Sequence, residues 1–127
     1  LVGAGEPLQP ALRRITDRYA HRVSVSLRWS GHEVREHELA TAIAAITAEC
    51  LDHVAEAPDS SCEVSVEVGP SGVSLRIATP TAAFLPDDEP SWLVRSRARA
   101  AIGGGRLLCA RAGEASATSG SVVEARF

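Results

Sequence analysis

Alternating apolar and polar positions mark the clearest segments of the chain. Val23, Val25, Leu27 and Trp29 are separated by Ser24, Ser26 and Arg28, a period of two that puts the apolar side chains on one face of a strand ended by Ser30-Gly31. Cys62, Val64, Val66 and Val68 alternate with Glu63, Ser65 and Glu67. Gly69-Pro70-Ser71-Gly72 then turns the chain, and Val73, Leu75 and Ile77 alternate with Ser74 and Arg76, which predicts a β-hairpin with one buried face. Between these stretches the period changes. Leu39, Ile43, Ile46, Cys50 and Val54 form the stripe of a long amphipathic helix over Glu36 to Ala57, stopped by Pro58.

Weaker periodicity fills in the rest. Leu12, Ile15 and Tyr19 predict a short helix over Pro10 to Ala20, with the proline in its first turn. Ser91 is placed to cap a helix running to about Ile102, ended by Gly103-Gly104-Gly105. Strands are expected near Arg106–Ala110 and Ser121–Phe127, separated by the small-residue loop Gly113–Gly120, and Pro80 to Pro90 reads as a linker carrying the acidic triplet Asp87, Asp88 and Glu89. One-faced strands interleaved with helices predict an α+β fold, a two-layer α/β sandwich in which three helices cover one face of a mixed sheet of about five strands.

The length of 127 residues suits a single domain spanning 1–127, and the lack of methionine in a chain opening at Leu1 suggests a fragment of a longer protein. Aromatics are 4% and the net charge is -3, which disfavours a base-stacking or phosphate-backbone nucleic-acid binder. Charge is uneven: the first 90 residues hold seven arginines against fourteen acids, and the remainder six against two. Cys50, Cys62 and Cys109 are odd in number and set in apolar or alternating sequence, so free thiols and a cytoplasmic setting are expected. No apolar run is long enough to span a membrane, so no direct membrane contact is expected.

Helix, strand, long helix, hairpin, loop, helix and two strands, in this order, resemble the ATP-binding domain of bacterial sensor histidine kinases, the Bergerat fold. Leu8-Gln9-Pro10-Ala11-Leu12 is similar to the start of that domain in the nitrate-sensor type, Arg99-Ala100-Ala101-Ile102-Gly103-Gly104 to its Arg-Ala-x-x-Leu-Gly-Gly helix end, and Gly120 to Phe127 to its closing strand. In the family the long helix carries Glu-x-x-x-Asn, whose Glu serves as base or water organiser and whose Asn helps hold magnesium. Here the resemblance puts Glu49 on the Glu and His53 on the Asn, with Asp52 about 100° around the helix. Imidazole is a poor ligand for magnesium, which prefers oxygen.

The family's Asp-x-Gly-x-Gly, which recognises adenine and brings backbone close to the nucleotide, falls on Thr79-Pro80-Thr81-Ala82-Ala83. Thr79 replaces the carboxylate, and Thr81 and Ala83 replace the glycines. The last Gly of the lid's Gly-x-Gly-Leu falls on Trp92, with Leu93 on the Leu, and an indole there would fill phosphate space.

Read from the residues alone, Glu49 and His53 are four apart on one helix face. They suit a base and proton carrier, two metal ligands, or merely a helix-stabilising pair. Cys50-x-x-His53 lacks the second pair of ligands zinc needs, so no metal site is expected. Arg95, Arg97 and Arg99 recur at every second residue and are expected to fan over more than one face of a solvated helix, with an anion contact as the alternative. Trp29 and Trp92 read as packing residues.

The expectation is a degenerate histidine-kinase ATPase-like domain, a pseudokinase-type regulatory or interaction module in two-component signalling, with weak or no ATP binding and no cofactor. The alternative is a divergent but functional catalytic domain, a histidine protein kinase using ATP and magnesium, with Glu49 as its catalytic residue. A small-molecule sensor reusing the vacated pocket is a third possibility. Expected partners are other domains of the parent sensor protein and a response regulator or kinase partner. Homodimers would form through helices outside this chain, and the parent protein is a candidate for membrane attachment.

Overall fold

The computed structural model describes residues 2–81, 83–84, 91–111 and 120–127. Its elements follow the order α1 (Leu8–Tyr19), β1 (Val23–Gly31), α2 (His37–Val54), β2 (Ser60–Gly69), β3 (Gly72–Thr79), α3 (Ser91–Ile102), β4 (Arg106–Arg111) and β5 (Ser121–Arg126). The strands form one five-stranded sheet ordered β1-β2-β3-β5-β4. β1 and β2 run parallel, joined by the α2 crossover that parallel pairing requires, and the other pairs are antiparallel. All three helices pack side by side on one face, α1 over β1, α2 over β2 and β3, and α3 over β4. The acidic triplet Asp87, Asp88 and Glu89 and most of the Gly113–Gly120 loop lie outside the described residues.

The period of two in the strands becomes the two faces of the sheet. Val64, Val66, Leu75, Ile77, Val123 and Ala125 are buried beneath Ile43, Ile46, Cys50 and Val54 of α2. On the opposite face, Arg76 and Glu124 stand directly across from each other on β3 and β5, 3.5 Å apart. Cys50 and Cys62 are buried and Cys109 half-buried, all three free thiols. Burial raises each, that of Cys62 to about 12, so they are neutral packing groups at ordinary pH.

Two helix ends differ from the sequence expectation. α1 begins at Leu8, not Pro10, because its first amides find partners from the β1–α2 connection. Leu8 N donates to the Val34 carbonyl at 3.0 Å and Gln9 N to the Glu33 carboxylate at 2.8 Å, a negative charge at the positive end of the helix. α2 ends at Val54, shorter than the expected run to Ala57, because Ala55 to Asp59 turn the chain into β2, with Asp59 at φ 54. α3 ends as its glycines imply. Gly104 takes φ +83, its N–H donates to Ala101 at 3.0 Å, and Gly105 N donates to Ala100 at 2.8 Å, the paired bonds of a Schellman stop.

Candidate functional site

The long helix α2 presents three faces, and each candidate residue on it serves a different neighbour. One face enters the core. Asp52 lies on another, toward α1, where it accepts a hydrogen bond from the Tyr19 hydroxyl. Tyr19 is pushed up to about 12, first by burial and then by the Asp52 carboxylate, which opposes a second negative charge. Arg22 stands 5.6 Å over the same ring, closing a small cluster that ties α1 to α2.

Glu49 and His53 share the third face, toward α3. Arg95 Nε donates to Glu49 Oε1 at 3.0 Å, and Arg99 Nη1 lies 3.5 Å from Oε2, so each carboxylate oxygen has a guanidinium beside it. The Glu49 side chain is only 17% exposed, which makes the contact stronger than an ion pair open to water. The expected fan of arginines is thus only partly right. Arg95 and Arg99 are one helical turn apart and converge on a single acid.

One turn further along α2, the His53 ring stacks on the Trp92 indole, with centroids 5.0 Å apart and planes at 26°. His53 Nδ1 lies 3.7 Å from the Glu56 carboxylate. Behind Trp92, the fully buried Phe84 ring stands 6.1 Å away, tilted by 54°. An imidazole, an indole and a phenyl ring therefore form one continuous row from the α2 surface into the core.

The segment leaving β3 satisfies its own polar groups. Thr79 is 3% exposed and its hydroxyl donates to the Ser61 carbonyl at 2.9 Å, binding β3 to β2. Ser121 of β5 donates to the Thr81 carbonyl at 2.7 Å and accepts from Phe84 N at 3.0 Å, while Ala83 N donates to the Thr81 hydroxyl at 3.3 Å. This turn delivers Phe84 beneath Trp92.

The structure therefore brings Glu49, His53 and Trp92 together between α2 and α3, places Thr79, Thr81 and Ala83 around the adjoining turn, and sets Asp52 apart. Sequence reasoning missed Arg95 and Arg99 as partners of Glu49. Their spacing of four on α3, matching the Glu49–His53 spacing on α2, was the available signal. Among the described residues, no three His, Cys, Asp or Glu side chains are grouped to hold a metal ion. Likewise, no described helix is long and apolar enough to cross a membrane.

The mycobacterial sensor histidine kinase MprB superposes with a TM-score of 0.74 over 95% of each chain, at 15% identity. The fold is that of histidine kinase catalytic domains. The histidine kinase domain of the Erythrobacter litoralis blue-light-activated kinase EL346 gives 0.76 at 15% identity, and this chain, matched over 99% of its own length, spans 63% of that one. The catalytic domain of histidine kinase ThkA gives 0.70 at 11% identity, covering 94% of this chain and 90% of that one. No protein-family model and no curated protein sequence matches the chain.

Proposed function

We propose that this chain is a two-component signalling domain of the histidine kinase type, of the nitrate-sensor class. In this reading it keeps the ATPase scaffold, binds ATP weakly or not at all, and serves as a cytoplasmic regulatory or interaction module for other domains of a sensor protein or for a kinase or response-regulator partner. The observation that carries the reading is the stack of His53 on Trp92 with Phe84 behind it. The resemblance in sequence puts these rings at or next to the family's magnesium-binding Asn and close-approach glycines. Three further features agree with it. The Thr79 hydroxyl is already used by Ser61, both oxygens of Glu49 face arginines, and Asp52 is engaged with Tyr19. The residues present do not fit a magnesium-bound triphosphate.

Calorimetric titration with magnesium-ATP tests this reading, and the expected result is no dissociation constant tighter than about millimolar, equivalent to about -4 kcal/mol. Micromolar binding would favour a second reading, a divergent but working kinase domain. One observation speaks for that alternative: Arg95 and Arg99 bring two guanidinium groups, good ligands for phosphate, beside the one acid retained from the catalytic motif. Glu49→Gln in the parent protein separates the two. Signalling survives if the domain acts by binding and is lost, with folding intact, if it acts by catalysis.

A further inference from the structure

The sheet face turned away from the helices carries one row of side chains that crosses all five strands. Ser30, Glu67, Ser74, Arg126 and Arg106 stand each directly opposite the next. Elsewhere on this face the charges are matched, with Arg28 4.0 Å from Glu63 and Arg76 3.5 Å from Glu124. In the crossing row they are not. Arg106 and Arg126 are exposed like charges in direct register, an arrangement that opposes the pairing of β4 with β5, and neither guanidinium has a partner among the described residues. Glu67 is also exposed and unpaired there. It lies two strands from Arg126, about 10 Å, with only Ser74 between them in register. Around Ser74 the surface forms a hollow of about 690 Å³, lined among others by Ser65, Glu67, Arg76 and Arg126.

We propose that this hollow binds the phosphate monoester of a small sugar or polyol, with the phosphate between Arg106 and Arg126 and the hydroxyls over Ser74 and Glu67. Two adjacent guanidinium groups offer paired donors to a doubly charged phosphate, and a dianion between them turns their mutual repulsion into attraction. The Ser74 hydroxyl, next to Arg126, adds a further donor. At the other end of the row the Glu67 carboxylate is acceptor-only, so it suits the hydroxyls of the ligand body and repels a second anionic group. The order acid, serine, arginine, arginine across four strands therefore sets a direction as well as a charge. A bare phosphate uses only the arginine end. The arginines paired to Glu63 and Glu124 are not needed for this site. The hollow lies on the opposite side of the sheet from Glu49, His53 and Trp92, so the inference is independent of whether nucleotide binds between α2 and α3.

Amide chemical shifts of the whole chain, followed during titration at low salt with ribose 5-phosphate, inorganic phosphate and ribose, test this. Ribose 5-phosphate should give saturable shifts around Ser74, Arg106 and Arg126 with a dissociation constant below about 1 mM. Inorganic phosphate should bind the same residues at least about threefold more weakly, and ribose should not bind at that concentration. Arg106→Gln and Arg126→Gln should each weaken the ester by about tenfold. Both variants should stay folded, since each removes a like-charge opposition from the sheet surface. Glu67→Gln should weaken ribose 5-phosphate and leave inorganic phosphate unchanged or tighter. Arg18→Gln, on the exposed side of α1, should change neither. No saturable shift up to about 10 mM ester overturns the proposal. Shifts centred on Glu49, His53 and Trp92, equal binding of ester and inorganic phosphate, or an Arg18→Gln effect as large as that of Arg126→Gln overturn it as well.

Discussion

Arg95 Nε stands 3.0 Å from Glu49 Oε1, so the acid on the long helix is held by a cation from the helix beside it. The pair is part-buried, with the carboxylate shielded and the guanidinium about half in water. Glu49→Gln should keep the fold and lower stability by about 1 kcal/mol, since one charge-assisted bond is lost while a neutral one can form in its place. Urea denaturation at low and high salt checks this. The difference between wild type and variant should shrink as salt screens the Arg95 side.

Trp92 joins His53 on one side to Phe84 on the other and is 9% exposed. Trp92→Ala should lower stability by about 3 kcal/mol, through lost burial and the cavity left above Phe84. Trp92→Phe should cost less, since a ring remains against both neighbours. Denaturant midpoints of the two variants provide the measurement.

Ser96 is fully buried on α3, and its hydroxyl has no hydrogen-bond partner among the described residues. Ser96→Ala removes an unsatisfied polar atom and improves helix propensity. The variant should gain about 1 kcal/mol, read as a rise in melting temperature.

Tyr19 is the chain's one tyrosine, so its ionisation can be followed by phenolate absorbance without assignment. Its proton should leave near pH 12, and Asp52→Asn should move that titration toward the ordinary value near 10. The folded form binds this proton more tightly than the unfolded chain. Its contribution to stability is therefore complete below about pH 10 and declines as pH rises through 12. Tyr19→Phe should flatten this part of the stability profile, leaving any contribution from the raised thiols.

Local periodicity carried most of the fold. The alternation in β1, β2 and β3 and the stripe of α2 are direct imprints of which face is buried, and Gly104 at φ +83 stops α3 where the glycine run stands. The start of α1 was less legible because its amides are capped by Glu33 and Val34, some 25 residues downstream. The Glu49 clamp was hidden for the same reason. α2 and α3 lie far apart in sequence, so nothing local to Glu49 marks Arg95 and Arg99 as its partners. Thr79 shows a further limit, since the partner of its side chain, the Ser61 carbonyl, lies on β2, 18 residues away in sequence.

The last strand of the sheet is not at its margin: β5 lies between β3 and β4 and is, among the described residues, the sole strand partner of β4. During synthesis, a chain that has already formed its hairpin and α3 still has no strand against which β4 can pair. Ser121–Arg126 must first leave the ribosome and zip antiparallel to β3, which makes this segment the keystone of translation-coupled folding. A ribosome stalled before Ser121 would hold a nascent chain with the inner edge of β3 bare, and chaperone capture or protease cutting should concentrate in that interval.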